Sequence, residues 1–209
     1  MLFYCIHPMK AKHHRNYNYG KNNDNKQTKK RRKYYQNHYS NKDLGAVFDK
    51  HIKCEFEDHD VDATMKTMTK QPYVHHVPVL TGGMGYDGVY DFYKNYFVGK
   101  MPDDTKVEHI SRTVGKEQVV DELIMRFTHD RQIDFMLPGI PATGRYVELP
   151  HVVVMKFNGN KIAHEHIYWD QGSLLAQIGL LDTNNLPITG VEQSKKLQQL
   201  AAITIGDKK

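Results

Sequence analysis

The chain has 209 residues, of which 39% are hydrophobic and 25% charged, with 29 Lys and Arg against 24 Asp and Glu. That length suits one domain, or one domain with a tail. Cys5 and Cys54 are the only cysteines, which excludes a disulfide framework or a cysteine-based zinc site, and no apolar run approaches the ~18 residues of a membrane span, so the reading is a soluble, cytoplasmic protein.

The charge is uneven. Residues 1–42 hold 11 Lys and Arg against one acid, Asp24, while the remainder holds 18 basic and 23 acidic residues. MLFYCIHPM is too short and wrongly flanked for a signal peptide. The segment that follows has almost no aliphatic residue between Ala11 and Lys42, so it cannot bury enough apolar surface to offset the entropy of ordering, and it reads as a disordered basic tail. Its KKRRK run, Lys29 to Lys33, would suit an anionic partner, but no nucleic-acid-reading domain accompanies it.

From Leu44 the pattern changes. LGAVFDKHIKCEFEDHD places Val47, Phe48, Ile52 and Phe56 at helical spacing, with Asn41 or Asp43 as cap. VDATMKTM is a second short helix behind Asp60. QPYVHHVPVLTGGMG, rich in proline and glycine, reads as an irregular link. A third helix follows Asp87, with Val89, Phe92, Tyr93, Tyr96 and Phe97 on one face. KVEHISRTVG, QVVDELIMRFTHD, RYVELPHVVVMKFNG and KIAHEHIYWDQ are strand-like runs, and Asn158-Gly159 marks a hairpin between the last two. SLLAQIGLL is a short apolar helix and VEQSKKLQQLAAI a terminal one. The expected organisation is a tail over 1–42, a folded domain over 43–186 and a C-terminal helix and tail over 187–209. Helices first and antiparallel strands after give the α+β class.

The last strand carries the densest chemistry. With period two, His164, His166, Tyr168 and Asp170 share one face, and Ala163, Glu165, Ile167 and Trp169 the other; a bulge before Trp169 would reverse the end of that pattern. The polar row either faces solvent or lines a pocket with Asp170 and His166 as acid and base. Asp170 also stands where a cap for SLLAQIG belongs. In the link, adjacent His75 and His76 point opposite ways, and His76 is the one assigned to the pocket. Glu122 and Arg126 read as a charge pair on the solvent side, and His129, Asp130 and Asp134 cluster beside LPGIPATG. No HExxH or comparable metal spacing occurs, His164 and His166 at i, i+2 being the weak exception, so no metal is expected. No glycine-flanked nucleophile elbow is present, which discounts a covalent hydrolase.

Helices, a GG-rich link, a further helix and a long sheet ending in HEHIYWDQGSLLAQIGLL resemble the nuclear transport factor 2-like (NTF2-like) superfamily, and more closely its SnoaL-like polyketide cyclase branch. TGGMGYDGVYDFYKNYF and RFTHD…LPGIPATGR support the resemblance, which covers about 44–186. It implies a cone of helices packed on a curved antiparallel sheet, with a small-molecule pocket between them, and a homodimer formed through the sheet. It implies acid–base chemistry without a cofactor: a cyclase, isomerase, hydratase or lactone-type reaction on a small apolar substrate. Asp170 matches the branch's strand-end aspartate, with His166 as its partner and His76, Tyr168, His164 and Tyr86 as substrate contacts. A small-molecule binding protein without catalysis is the alternative, since one fold hosts many activities.

Overall fold

The computed structural model describes residues 43–206, so the expectations for the tail lie outside the described residues. Asp43 caps α1 (Leu44–Phe56) by accepting a bond from the Ala46 amide, and Asp60 caps α2 (Val61–Thr67) through the Ala63 amide. Each satisfies an amide that the first helical turn leaves without a partner. The segment expected to be irregular is instead a hairpin, β1 (Met68–His76) and β2 (Thr81–Met84). Pro72, which cannot donate to a ladder, falls where the pairing register of β1 shifts between Met68 and Tyr73, so the proline marks an irregularity within a strand rather than its absence.

The third helix, α3 (Gly85–Phe92), runs into a π-helical turn at Tyr93–Phe97. The extra residue in that turn breaks the 3.6 period. Val89, Phe92 and Tyr93 are buried, whereas Tyr96, expected on the same face, is exposed. Strands β3 (Lys106–Val114), β4 (Gln118–Thr128), β5 (Tyr146–Asn158) and β6 (Lys161–Trp169) then form an antiparallel meander, with the tight turn at Gly159 joining the last two. Two helices follow, α4 (Gln171–Gln177) and α5 (Glu192–Gly206).

The six strands lie in the order β2-β1-β6-β5-β4-β3. The sheet is curved and unclosed, and it is mixed rather than wholly antiparallel, because β1 pairs in parallel with β6. Its concave face carries Val74, Met125, Phe127, Val153, Met155 and Trp169, packed against Phe48 of α1 and Val89, Phe92 and Tyr93 around α3. Each fully buried side chain of this size contributes about 1.5–3 kcal/mol relative to exposure. On the opposite face Ile124 is buried, Arg126 bridges Glu108 and Glu148 across three strands, and Gln198 of α5 donates to Glu108. Arg126 is therefore paired with those two acids rather than with Glu122, which accepts from Ser111. Among the described residues, no helix is long and apolar enough to cross a membrane.

Candidate functional site

The gap between the concave face and helix α1 is a cavity of about 470 Å³. Its walls are mostly apolar and aromatic, with Phe56, Phe97, Phe135 and Trp169 among them. Six buried polar side chains from different elements line it: Glu55, His76, Tyr93, Asp121, His151 and Glu165.

Strand alternation explains the inventory. On β6 the residues that line the cavity are Glu165, Ile167 and Trp169, so the row containing His164, His166 and Tyr168 faces the other way. No bulge interrupts β6 between His164 and Trp169, where the register with β5 is continuous. His164 stacks on Tyr73 at 4.6 Å between ring centroids, and His166 accepts or shares a hydrogen bond with the Tyr73 hydroxyl at 3.0 Å, both on the outer surface. Tyr168 is exposed. Asp170 is exposed too; it accepts from the Ser173 amide as the N-cap of α4 and from Gln193 of α5. Asp170 and His166 are thus not brought together in the cavity. Tyr86 is exposed and stacks on Tyr90, away from the cavity walls. His76 alone of the six expected contacts lines the cavity. His129, Asp130 and Asp134 serve their own loop, bonding Thr143, Arg131, and Gln132 with the Gly139 amide.

Behind the cavity wall, Glu55, Tyr93 and Glu165 meet at His51, which is itself fully enclosed. Thr67 donates its hydroxyl to the Thr64 carbonyl at 2.6 Å, so its lone pair faces His51 Nδ1 at 2.5 Å, and that nitrogen carries a proton. The other nitrogen, Nε2, lies 2.9 Å from Glu165 Oε1 and 3.0 Å from Glu55 Oε1. Burial works against a charged imidazole, but the two carboxylates outweigh it and hold the His51 pKa well above the ordinary value. The ring is an imidazolium, a donor at both nitrogens. Tyr93 donates to Glu165 Oε1 at 2.9 Å, and burial followed by the two acids pushes its phenol pKa well up, so it stays protonated.

The two carboxyls are pushed apart. Burial raises the pKa of Glu55, and the imidazolium only partly opposes that. At Glu165 burial pulls in the same direction, yet the imidazolium and the Tyr93 hydroxyl prevail and the pKa falls below its usual value. One acid holds its proton more readily; the other is ionised.

His76 and His151 sit on either side of the Trp169 indole, at 5.7 and 5.6 Å between ring centroids. Burial lowers the pKa of each to about 4, so both are neutral at pH 7. His151 donates Nδ1–H to the Leu149 carbonyl, leaving Nε2 as an acceptor, and His76 Nδ1 has no hydrogen-bond partner among the described residues. At the rim Arg112 forks onto Asp121 at 2.6 and 2.7 Å, reaches Asp49 at 2.8 Å and lies over the Phe48 ring.

Residues 45–178 match the family described as SnoaL-like polyketide cyclase. The chain belongs to that family. Solved structures agree on the fold: an NTF2-like protein of unknown function from Burkholderia pseudomallei has a TM-score of 0.50 at 13% identity, covering 65% of this chain and 97% of its own. A candidate SnoaL-like polyketide cyclase from Jannaschia sp. has a TM-score of 0.52 at 15% identity, covering 65% of this chain and 93% of its own. TsrD from Streptomyces laurentii has a TM-score of 0.52 at 14% identity, over 68% of this chain and 98% of its own. No curated protein matches the chain. This SnoaL-like chain shares its fold with those proteins. The signal for Glu165 was present in the alternation of β6 itself; Glu55 and His51 sit on α1 at i, i+4, where their spacing is that of any helical pair.

Proposed function

We propose that this SnoaL-like protein is a cofactor-independent acid–base enzyme acting on a small, largely apolar substrate inside the cavity, with Glu165 as base and Glu55 as acid. The observation that carries this reading is two cavity-lining carboxyls that meet at one buried imidazole nitrogen, Glu165 Oε1 at 2.9 Å and Glu55 Oε1 at 3.0 Å from His51 Nε2. Burial raises the pKa of Glu55 while the imidazolium and Tyr93 lower that of Glu165, which suits the first to give a proton and the second to accept one. His51 and Tyr93 hold the Glu165 oxygen in place, and neutral His76 and His151 offer hydrogen bonds to the polar part of a substrate. The reaction is one in which a proton leaves and another returns: an isomerisation, cyclisation, hydration or lactone-type step. Asp170 and His166 take no part in this assignment, since neither lines the cavity.

Proton transfer at carbon is measurable without the physiological substrate. In D₂O the protein is expected to speed deuterium incorporation at the α-carbon of a small apolar ketone such as β-tetralone, read by NMR. Glu165→Gln is isosteric and is expected to lower that rate at least ~100-fold with the fold retained. The mostly apolar lining also favours a second reading, a binding protein without catalysis. That reading predicts tetralone binding with no exchange above buffer in the wild type. A homodimer through the exposed part of the outer sheet face, around Tyr73, His164 and Tyr168, belongs to the same proposal and is read by light scattering.

A further inference from the structure

The cluster at the base of the cavity has a second capability, which follows from donor geometry. His51, Glu55 and Glu165 each place one ligand-type atom so that all three lie within 4.8 Å of one another, and all three residues are buried. An octahedral centre with bonds of about 2.1 Å sets neighbouring donors about 3.0 Å apart. His51 Nε2 lies at 3.0 Å from Glu55 Oε1 and 2.9 Å from Glu165 Oε1, which are two such edges meeting at one nitrogen.

Two further observations point to a ligand. Among the described residues Glu55 Oε1 is buried and makes no hydrogen bond of acceptable geometry, its one close polar neighbour being the His51 nitrogen at 3.0 Å. A buried carboxyl oxygen in contact with a cation but without a well-directed hydrogen bond has capacity left for a ligand. The imidazole is also oriented from behind: Nδ1–H is committed to Thr67 Oγ1, which is itself committed to the Thr64 carbonyl. A fixed acceptor on one nitrogen, with the other aimed at carboxylates, is the arrangement that prepares histidine as a metal ligand.

We propose that His51, Glu55 and Glu165 together bind one first-row divalent cation at the base of the cavity. The nitrogen-and-oxygen donor set suits Zn²⁺, Co²⁺ or Mn²⁺ better than Ca²⁺ or Mg²⁺, which take oxygen alone. The ion takes the place of the proton on His51 Nε2, which is released on binding. Resting on the assignment of Glu165 as base, occupancy opposes proton transfer, because a cation held by the Glu165 carboxylate lowers its basicity. The cation is therefore a brake on the reaction rather than its cofactor.

The test is titration of the metal-free full chain with Co²⁺, read by its visible absorption bands and by equilibrium dialysis. The wild type is expected to bind one ion in the cavity, with affinity reduced at least ~10-fold in Glu55→Gln and in His51→Gln. A variant with His164→Ala and His166→Ala, which removes the surface imidazoles, is expected to bind as the wild type does. Circular dichroism checks each fold, and the isosteric Glu55→Gln decides the matter should His51→Gln fail to fold. Absence of Co²⁺ binding in the wild type overturns the proposal, as does undiminished affinity in folded Glu55→Gln, or loss of the ion in the surface variant. Deuterium exchange by the metal-free protein reports separately on the acid–base reading, so intact exchange without metal binding removes only the cation site.

Discussion

At the level of single residues, the same side-chain type does different work according to the face it occupies. Asp170 has an aspartate's chemistry but a cap's position: it satisfies the Ser173 amide and holds Gln193 of α5. Asp170→Ala is accordingly expected to cost about 0.5–2 kcal/mol of stability, and Asp170→Asn close to nothing, since asparagine caps as well as aspartate; urea denaturation measures both. The histidines separate in the same way by pH. His76 and His151 have folded pKa values near 4, below the unfolded value of about 6.5, so the unfolded chain binds more protons between those limits and stability rises with pH across that window. Glu55, raised from its ordinary value, offsets part of this. His51, raised, contributes stability that is complete below pH ~6.5 and is lost as pH climbs through its folded pKa. Together these groups put the stability maximum near pH 6.5. Unfolding midpoints measured from pH 4 to 8 are expected to show it, with the acid-side slope reduced by about one proton in His76→Gln.

At the level of elements, the segment whose proline and glycine content reads as a link is the strand hairpin that helps form the cavity. Proline and glycine argue against a strand on propensity alone. Here Pro72 sits at a register shift, and the glycines serve close packing: a Cβ on Gly83 would collide with the Gly88 carbonyl at the start of α3. That approach is what brings α3, and with it Tyr93, over the sheet. Gly83→Ala is expected to destabilise by about 1–3 kcal/mol as helix and hairpin are forced apart, and to weaken the alignment of Tyr93 with Glu165. Chemical denaturation reads the first effect and the tyrosine absorbance near its titration the second. The π-turn is a similar case. Helical spacing correctly grouped Val89, Phe92 and Tyr93, but one inserted residue rotated Tyr96 outward, and that insertion reflects packing of Phe97 against Phe135 and His76, both distant in sequence.

At the level of the whole molecule, one guanidinium ties the helical layer to the sheet. Arg112 on β3 holds buried Asp121 on β4, Asp49 on α1 and the face of Phe48. Arg112→Met keeps the stem and removes the charge, leaving buried Asp121 with His109, 3.6 Å away, as its remaining partner. The expected cost is about 2–3 kcal/mol, below the 3–5 typical of a fully enclosed pair because Arg112 keeps some solvent contact. Thermal unfolding measures it, and weakened ketone binding is expected alongside, since the same contact frames the cavity rim.

Local pattern was enough for the helices, their aspartate caps, the antiparallel meander and the SnoaL-like resemblance, because hydrophobic period and capping act over a few residues. The two faces of β6 were also correctly divided by alternation. Which face looks inward was not decided there: both rows hold a polar group, and only the helices packing on the concave side determine that Glu165, Ile167 and Trp169 are enclosed while His164, His166 and Tyr168 meet the outside. The candidate site is likewise a tertiary product. His51 and Glu55 come from α1, Tyr93 from the π-turn and Glu165 from β6, and no short-range rule couples residues so far apart along the chain. Their pKa values, and hence their chemistry, arise from burial and from one another's charge, which exist only once those elements have packed.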